Sequence, residues 1–367
     1  MYIGENIKRL RREKGITQET LAERMHVSTA AVSKWERGDT MPDISMLVPL
    51  ASYFGVSTDE ILGLDAAKNA ENIEKYLNER KRLGAIGKVF EEFDLMKKAY
   101  EEYPNDWRIV EQYMWELQYD PNCKGPYGYQ VHKDELYALC NRVLEECTLD
   151  QPRYSALSIL SGLYLEDGNL EKALELSNRF PDYYQSKGEE IEGCYERGTD
   201  EWYKQLRVNI RELADQLQVK ICNSALWALS ESPAEQLRIL KKAVALIELV
   251  YDEGDYGFYH YDLAELYVWI AGRYVQLDEF DTAFEYYEKG LEHARKFDEL
   301  PKISTHTSFL VRGNVQDMAK ISTSTEENLV ARRLEEIGEN PNYGKVKDSP
   351  KMREILAKYE PFAGKKI

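Results

Sequence analysis

Apolar residues recur at helical spacing from the start of the chain. Between Gly4 and Lys14, Ile7 and Leu10 share one side, with Lys8, Arg9, Arg11 and Arg12 beside them, and Gly15 closes the segment. Thr17 is placed to cap a second helix, its hydroxyl accepting an orphan backbone N–H, with Leu21, Ala22 and Met25 as the apolar stripe. Ser28 caps a third helix in which Val32 and Trp35 point inward, and Gly38 ends it. After the polar loop Thr40-Met41-Pro42, Asp43 caps a fourth helix holding Leu47, Leu50, Ala51 and Phe54. Pro49 inside that helix is expected to cost one backbone bond and to kink it. Ser57-Thr58-Asp59-Glu60 reads as a capping box that opens a fifth helix with Ile61 and Leu62. Five short helices predict a compact domain over residues 1–64, and the second and third, joined around His26, form a helix-turn-helix.

Residues 65–84 are polar and helix-favouring, and they predict a helical connector. From 85 to 367 helical periodicity dominates. Leu206, Ile210, Leu213 and Leu217 fall on one face, and Ser232-Pro233-Ala234-Glu235 is a capping box opening a run with Leu237, Leu240, Val244 and Ile247 aligned. Ser324 to Glu327 offers another such start, and no stretch reads as a strand pair, so the expected class is all-α. One pattern recurs. Leu157, Leu160, Ser161, Tyr164, Gly168, Leu170 and Ala173 return 110 residues later as Tyr267, Ile270, Ala271, Tyr274, Asp278, Phe280 and Ala283. Tyr287 and Leu291 extend the second copy, and a weaker end of a repeat falls at Ala99 to Pro104. The spacing, with small residues where two helices cross and aromatics filling the gap, is similar to that of tetratricopeptide repeats, and it implies an irregular α-solenoid.

In the first 64 residues the motifs Ile7-x-x-Leu10-Arg11, Thr17-Gln18-x-x-Leu21-Ala22, Val27-Ser28, Val32-Ser33-Lys34-Trp35-Glu36-x-Gly38, Pro42-Asp43 and Leu50-Ala51-x-x-Phe54-x-Val56-Ser57 follow one another in order. Together they resemble the phage-repressor and Cro-type (lambda-repressor-like, XRE family) DNA-binding domain. The resemblance implies that the third helix enters the major groove with its N-terminal residues facing base edges. It names Thr29, Ala30, Ser33 and Lys34, with Ser28 at the cap, as reading positions. Thr29 would exchange a hydrogen bond with a base, the Ala30 methyl would touch a thymine methyl, and Lys34 would donate to guanine or to a phosphate. Thr17 and Gln18 on one side, and Arg37 and Thr40 on the other, would meet the DNA backbone and fix register. The plainer readings run beside these: Trp35 as core with Val32, Lys34 as a solvated lysine, and Arg11 as half of a structural pair with Glu36 that the family uses to link the first and third helices. His26 stands where the family has glycine, at a turn position that takes positive φ.

Composition sharpens this picture only in part. The chain has 367 residues, with 48 Lys and Arg against 65 Asp and Glu. Residues 1–38 hold eight of the basic and five of the acidic side chains, a net +3, while residues 65–367 hold 40 and 56, a net −16. A polyanion is attracted to the first segment and repelled by the rest. The longest uncharged stretch, Ile44 to Thr58, is too short to span a bilayer, and a charge at Glu5 argues against a leader peptide. Cys123, Cys140, Cys147, Cys194 and Cys222 form no C-x-x-C pair and read as reduced thiols of a cytoplasmic protein. No phosphate loop, nucleophile elbow, H-E-x-x-H or calcium loop occurs, Asp252-Glu253-Gly254-Asp255 lacking the alternating ligands. The five histidines (His26, His132, His260, His293, His306) pair neither with one another nor with cysteines at ligand spacing, so no catalytic group, cofactor or metal is expected.

The reading that unites these features is a cytoplasmic, dimeric, sequence-specific transcriptional regulator, with residues 1–64 on double-stranded operator DNA and 85–367 as sensor and dimerisation region. A helix-turn-helix reader followed by a degenerate repeat array is similar to the bacterial regulators that sense signalling peptides, which implies a peptide, small-molecule or protein effector on the array. Twelve aromatics between residues 251 and 287, among them Tyr256, Phe258, Tyr259, Tyr261 and Trp269, either line a groove for it or serve as packing between helices. The rival is a scaffold protein whose array docks a partner, with DNA binding secondary.

Overall fold

A computed structural model describes residues 3–123, 128–182, 185–226, 232–321, 323 and 325–365, the side chains of 64–67 excepted. The chain divides into two compact units, one formed by residues 1–79 with 99–105 and the other by 80–98 with 106–367.

The first unit opens with five helices: α1 (Ile3–Glu13), α2 (Gln18–Met25), α3 (Thr29–Arg37), α4 (Leu47–Phe54) and α5 (Thr58–Leu62). Their inward stripes meet in one core of Ile3, Ile7, Leu10, Leu21, Ala22, Met25, Val32, Trp35, Leu50, Ala51 and Ile61. Local chemistry sets each boundary. The Thr17 hydroxyl accepts from Thr20 N, Ser28 from Ala31 N and Ser57 from Glu60 N, so the three serine and threonine caps predicted for this unit are in place. His26 closes α2 in the left-handed region (φ 55°, ψ 39°), and its N–H reaches the carbonyls of Ala22 and Glu23. Two expectations about the fourth helix fail. Asp43 caps a 3₁₀ turn, Ile44–Met46, and the α-helix begins only at Leu47. Pro49 therefore lies in the first turn, where an N–H has no intrahelical acceptor, so it removes no backbone bond and has no reason to kink the helix.

Helices α6 (Leu64–Ala85) and α7 (Val89–Glu102) follow, and the division between the two units falls within both. The second unit continues with α8 (Trp107–Gln118), α9 (Tyr129–Glu146), α10 (Asp150–Glu166), α11 (Leu170–Ser177), α12 (Lys187–Gly193), α13 (Asp200–Leu226), α14 (Pro233–Val250), α15 (Tyr259–Gln276), α16 (Phe280–Asp298), α17 (Leu329–Glu339) and α18 (Pro350–Tyr359). Each of α8 to α11 and of α12 to α17 packs on its sequence neighbour, and α8 touches α10 as α15 touches α17 and α16 touches α18. That is the nearest-neighbour stacking of a helical repeat array. The repeat legible in the sequence is two antiparallel hairpins, α10–α11 and α15–α16, and the matched residues Gly168 (φ 72°) and Asp278 (φ 59°) both take the left-handed turn conformation. Ala173 and Ala283 are buried at the crossings, as are Ser232-capped Leu237, Leu240, Val244 and Ile247 of α14.

The structure corrects three further expectations. Leu213 and Leu217 are 54% and 51% exposed, and α13 buries Asn209, Gln218, Cys222 and Ala225 instead. A short antiparallel ribbon, β1 (Ile303–Thr305) with β2 (Val315–Asp317), occurs where no strand pair was expected. Tertiary contacts fasten it, with Asn314 donating to the Arg207 carbonyl, and Gln316 accepting from Phe258 N. Helix α17 is capped by Asn328, not within the segment 324–327, of which Ser324 lies outside the described residues.

Candidate nucleic-acid interface

The residues named for DNA contact lie at the N-termini of α2 and α3, along α3 to its last turn, and just beyond it at Thr40. Ala30, Lys34, Arg37 and Thr40 are exposed, and Thr29 and Ser33 half-buried. Among the described residues Lys34 has no ion-pair partner, so its charge is uncommitted. Arg37 is not free in the same sense. Its Nε and Nη2 donate to Asp39 Oδ2 at 2.9 and 2.7 Å, and its Nη1 donates to Ser33 Oγ at 2.7 Å. The hydroxyls of Thr17 and Ser28 are spent on caps.

Behind this surface lies a buried polar knot. Arg11 on α1 donates through Nε and Nη2 to the two oxygens of Glu36 on α3, at 2.5 and 3.0 Å, and through Nη1 to the Ile16 carbonyl at 2.8 Å. Gln18 Nε2, on α2, donates to the same Glu36 carboxylate at 2.8 Å. Burial pushes the Glu36 carboxyl up, but the bonds from Arg11 and Gln18 outweigh it and hold the group below the usual carboxylate range. Three helices thus meet on one carboxylate. The Arg11–Glu36 link was legible from the resemblance; the share taken by Gln18, and the Asp39 partner of Arg37, were not.

The second unit carries concave surface of its own. A cavity of about 420 Å³ is bounded by Arg211, Asp215, Gln218, Tyr259, Asp262 and Lys320, among others. A second, of about 380 Å³, shares Phe258, Asp262 and Ile321 with it and adds Tyr261, Phe297 and Arg332. Burial, with the charge of Glu265, pushes the Asp262 carboxyl up to about 7, and Gln218 Nε2 donates to it at 3.3 Å. Asp215 accepts from the Tyr259 hydroxyl, and burial raises its carboxyl as well. Of the twelve aromatics, Tyr251, Tyr259, Tyr274, Phe284 and Tyr287 are core, and Phe258, Tyr259 and Tyr261 reach the cavities. Close by, His260 Nδ1 and His293 Nδ1 lie 2.9 Å apart, a pairing the sequence spacing did not suggest.

A helix capped at Thr17, a left-handed turn at His26 and a second helix presenting an unpaired lysine define a DNA-reading helix-turn-helix. Comparison with known proteins agrees: the helix-turn-helix family model matches residues 7–61. The chain is 32% identical over 108 residues to a prophage-derived, uncharacterised HTH-type transcriptional regulator, YonR of Bacillus subtilis, covering 27% of this chain and 98% of that one. It is 43% identical over 60 residues to the uncharacterised HTH-type regulator y4dJ of Sinorhizobium fredii, covering 16% and 78%. It is 37% identical over 84 residues to the HTH-type transcriptional activator BcrR of Enterococcus faecalis, spanning 21% of this chain but only 41% of that protein. Among solved structures, the apo competence regulator ComR of Streptococcus vestibularis aligns over 92% of this chain and 98% of its own, at 13% identity and a TM-score of 0.32. PlcR of Bacillus thuringiensis, solved with the peptide PapR7 and DNA, aligns over 79% and 94%, at 16% identity and 0.29. On its N-terminal unit, the chain belongs to the helix-turn-helix transcriptional regulators.

Proposed function

We propose that the protein is a cytoplasmic, dimeric regulator that binds a two-fold-related operator through α3 and is controlled by an effector on its C-terminal array. The observation that carries the reading is the solvent side of α3, where Thr29, Ala30, Ser33 and Lys34 lie together, away from Val32 and Trp35. In this reading Lys34 takes a guanine edge or a phosphate, and Thr29 and Ala30 contribute hydrogen-bond and methyl contacts. Thr17, Gln18 and Ser28 bring backbone N–H groups at two helix N-termini against phosphates, a geometry that favours anions. Arg37 and Thr40 grip the backbone on the other side, Arg37 exchanging Asp39 for a phosphate.

One such small surface makes few contacts, so pairing two on half-sites about one helical turn (~34 Å) apart is what yields operator affinity. The exposed Leu213 and Leu217 of α13, at the spacing of a coiled-coil seam with Leu206 and Ile210, support a second copy as the cover for that face. Residues 1–64 would serve as reader, 65–84 as connector and 85–367 as sensor. The adjoining cavities around Asp262 support an effector there, of small-molecule or peptide size, acting only in so far as it binds one dimer geometry better than the other. Hydroxyl-radical footprinting of the protein on its own upstream DNA tests the reading. Two protected half-sites about one turn apart support it; a uniform, unphased protection at every concentration contradicts it.

A further inference from the structure

Between α8 and α9 the chain assembles three donor groups of different chemistry that the DNA-reading function does not use. Asp120, Cys123 and His132 place a carboxylate oxygen, a thiol sulfur and an imidazole nitrogen all within 4.8 Å of one another. Two of the three side chains are well shielded, Asp120 being 6% and His132 18% exposed.

The arrangement is held from the backbone upward. Asn122 donates to Asp120 Oδ1 through its own N–H at 2.8 Å and through Nδ2 at 2.9 Å, and Cys123 N donates to the Asp120 carbonyl at 3.1 Å. This Asx turn folds Cys123 back over the carboxylate. On the other side, Gly128 N donates to the Gln118 carbonyl at 2.6 Å, and His132 N donates to the Gly128 carbonyl at 2.9 Å. A Cβ on Gly128 would meet the Leu117 carbonyl oxygen at 2.1 Å, so only glycine lets the two strands of chain approach this closely. Helix α9 bends at His132 itself (φ −106°, ψ 17°), and the ring, with Phe93 on its flank, points Nε2 at Asp120 Oδ2, 2.7 Å away.

From this geometry we infer that Asp120, Cys123 and His132 form a binding site for a thiophilic divalent transition-metal ion of the zinc class. A mixed sulfur, nitrogen and oxygen set selects such ions over magnesium or calcium, which take oxygen ligands. Metal–ligand bonds of about 2.0–2.3 Å in a tetrahedron put neighbouring donors about 3.3–3.8 Å apart, within the 4.8 Å envelope. Binding needs the His132–Asp120 contact to open slightly and the Cys123 thiol to release one proton to solvent. Asn122 already orients the Asp120 carboxylate from behind, and the fourth position is left for water. The ion would tie the end of α8 to the start of α9.

The ordinary alternative is a metal-free loop staple in which the Asp120 carboxylate holds both the His132 imidazole and the Cys123 thiol by hydrogen bonds. Cobalt(II) separates the two. Full-length reduced protein, stripped with a chelator and desalted, is titrated with cobalt(II) while its absorption is recorded. The site predicts a thiolate-to-cobalt charge-transfer band, with the visible bands of a four-coordinate ion, saturating at one equivalent. Cys123→Ser, which keeps the shape of the side chain, removes the charge-transfer band and weakens binding at least about tenfold. Cys194→Ser, at an exposed cysteine away from the trio, changes neither. The absence of a charge-transfer band in the wild type overturns the assignment without reference to any variant, as does a band that survives in Cys123→Ser.

Discussion

Replacing Glu36 by alanine leaves Arg11 and Gln18 without the acceptor on which three helices converge. The side chains of Glu36 and Arg11 are 2% and 13% exposed, so water replaces little of what is lost. Removing one partner of a buried ion pair costs about 3–5 kcal/mol. Arg11 keeps its bond to the Ile16 carbonyl and some solvent contact, which places Glu36→Ala at the lower end, about 3 kcal/mol. That is roughly a 150-fold rise in the opening constant of the elements the knot joins. Native-state hydrogen exchange on the full chain reads it directly, at the protected amides of α1 and α3, with those of α15 and α16 as unaffected references. The double replacement Arg11→Met, Glu36→Leu recovers most of the loss, since no buried charge is then stranded. The folded carboxyl titrates below its unfolded value, so this contribution is full above about pH 4.5 and fades as pH falls through the lower folded value. Exchange in α1 and α3 within about threefold of wild type for Glu36→Ala would refute the reasoning, and so would a double variant no better than the single.

His26→Gly relieves a left-handed backbone at a non-glycine residue and raises the denaturation midpoint of the first unit, by about 1 kcal/mol of stability, in urea titrations followed at α2 amides. Gly290→Ala drives a methyl against Val268 and the Ala264 carbonyl, 2.9 and 3.0 Å from its Cβ, and lowers the stability of the α15–α16 hairpin by about 1–3 kcal/mol, read by calorimetry. The His260–His293 pair is neutral in the fold: burial first, then the charge of Lys296 on His260 and of His260 on His293, hold the two at about 4 and about 3. Both values lie below that of an unfolded histidine, so the unfolded chain binds more protons and each histidine's contribution falls as pH drops from about 6.5 towards 4, on the order of 3 kcal/mol apiece. Asp262 and Glu116, raised to about 7 chiefly by burial, have the opposite slope in that window. The histidine contribution is therefore read as the difference between wild type and His293→Gln in urea midpoints across that range, and equal slopes would reject it.

The features legible in the sequence are those set by near neighbours. A serine three residues before a free N–H, or a left-handed residue after a helix, needs only a few residues of context, and Thr17, Ser28, Ser57 and His26 all stand as expected. The match of Gly168 with Asp278 likewise marks one turn built twice. What escaped depends on residues far apart in the chain. Leu213 and Leu217 have perfect helical spacing, yet spacing names a face without saying what covers it, and α13 turns Gln218 and Cys222 inward instead. His260 and His293 meet because α15 and α16 are antiparallel, bringing residues 33 apart side by side. Pro49 was misplaced by one short turn, because a 3₁₀ start and an α start after Asp43 carry the same cap signal. Asp120, Cys123 and His132 converge only through a turn and a helix bend that no ligand-spacing pattern describes.

The most direct test of the DNA-reading account is fluorescence anisotropy of the full-length protein on labelled DNA from its own upstream region, with unlabelled random duplex as competitor and Lys34→Glu alongside. The account predicts binding that resists the competitor, weakens as salt rises, and is reduced at least about tenfold by the charge reversal on α3. Binding displaced equally by random DNA, and unchanged in Lys34→Glu with or without cell extract as a source of effector, would contradict it.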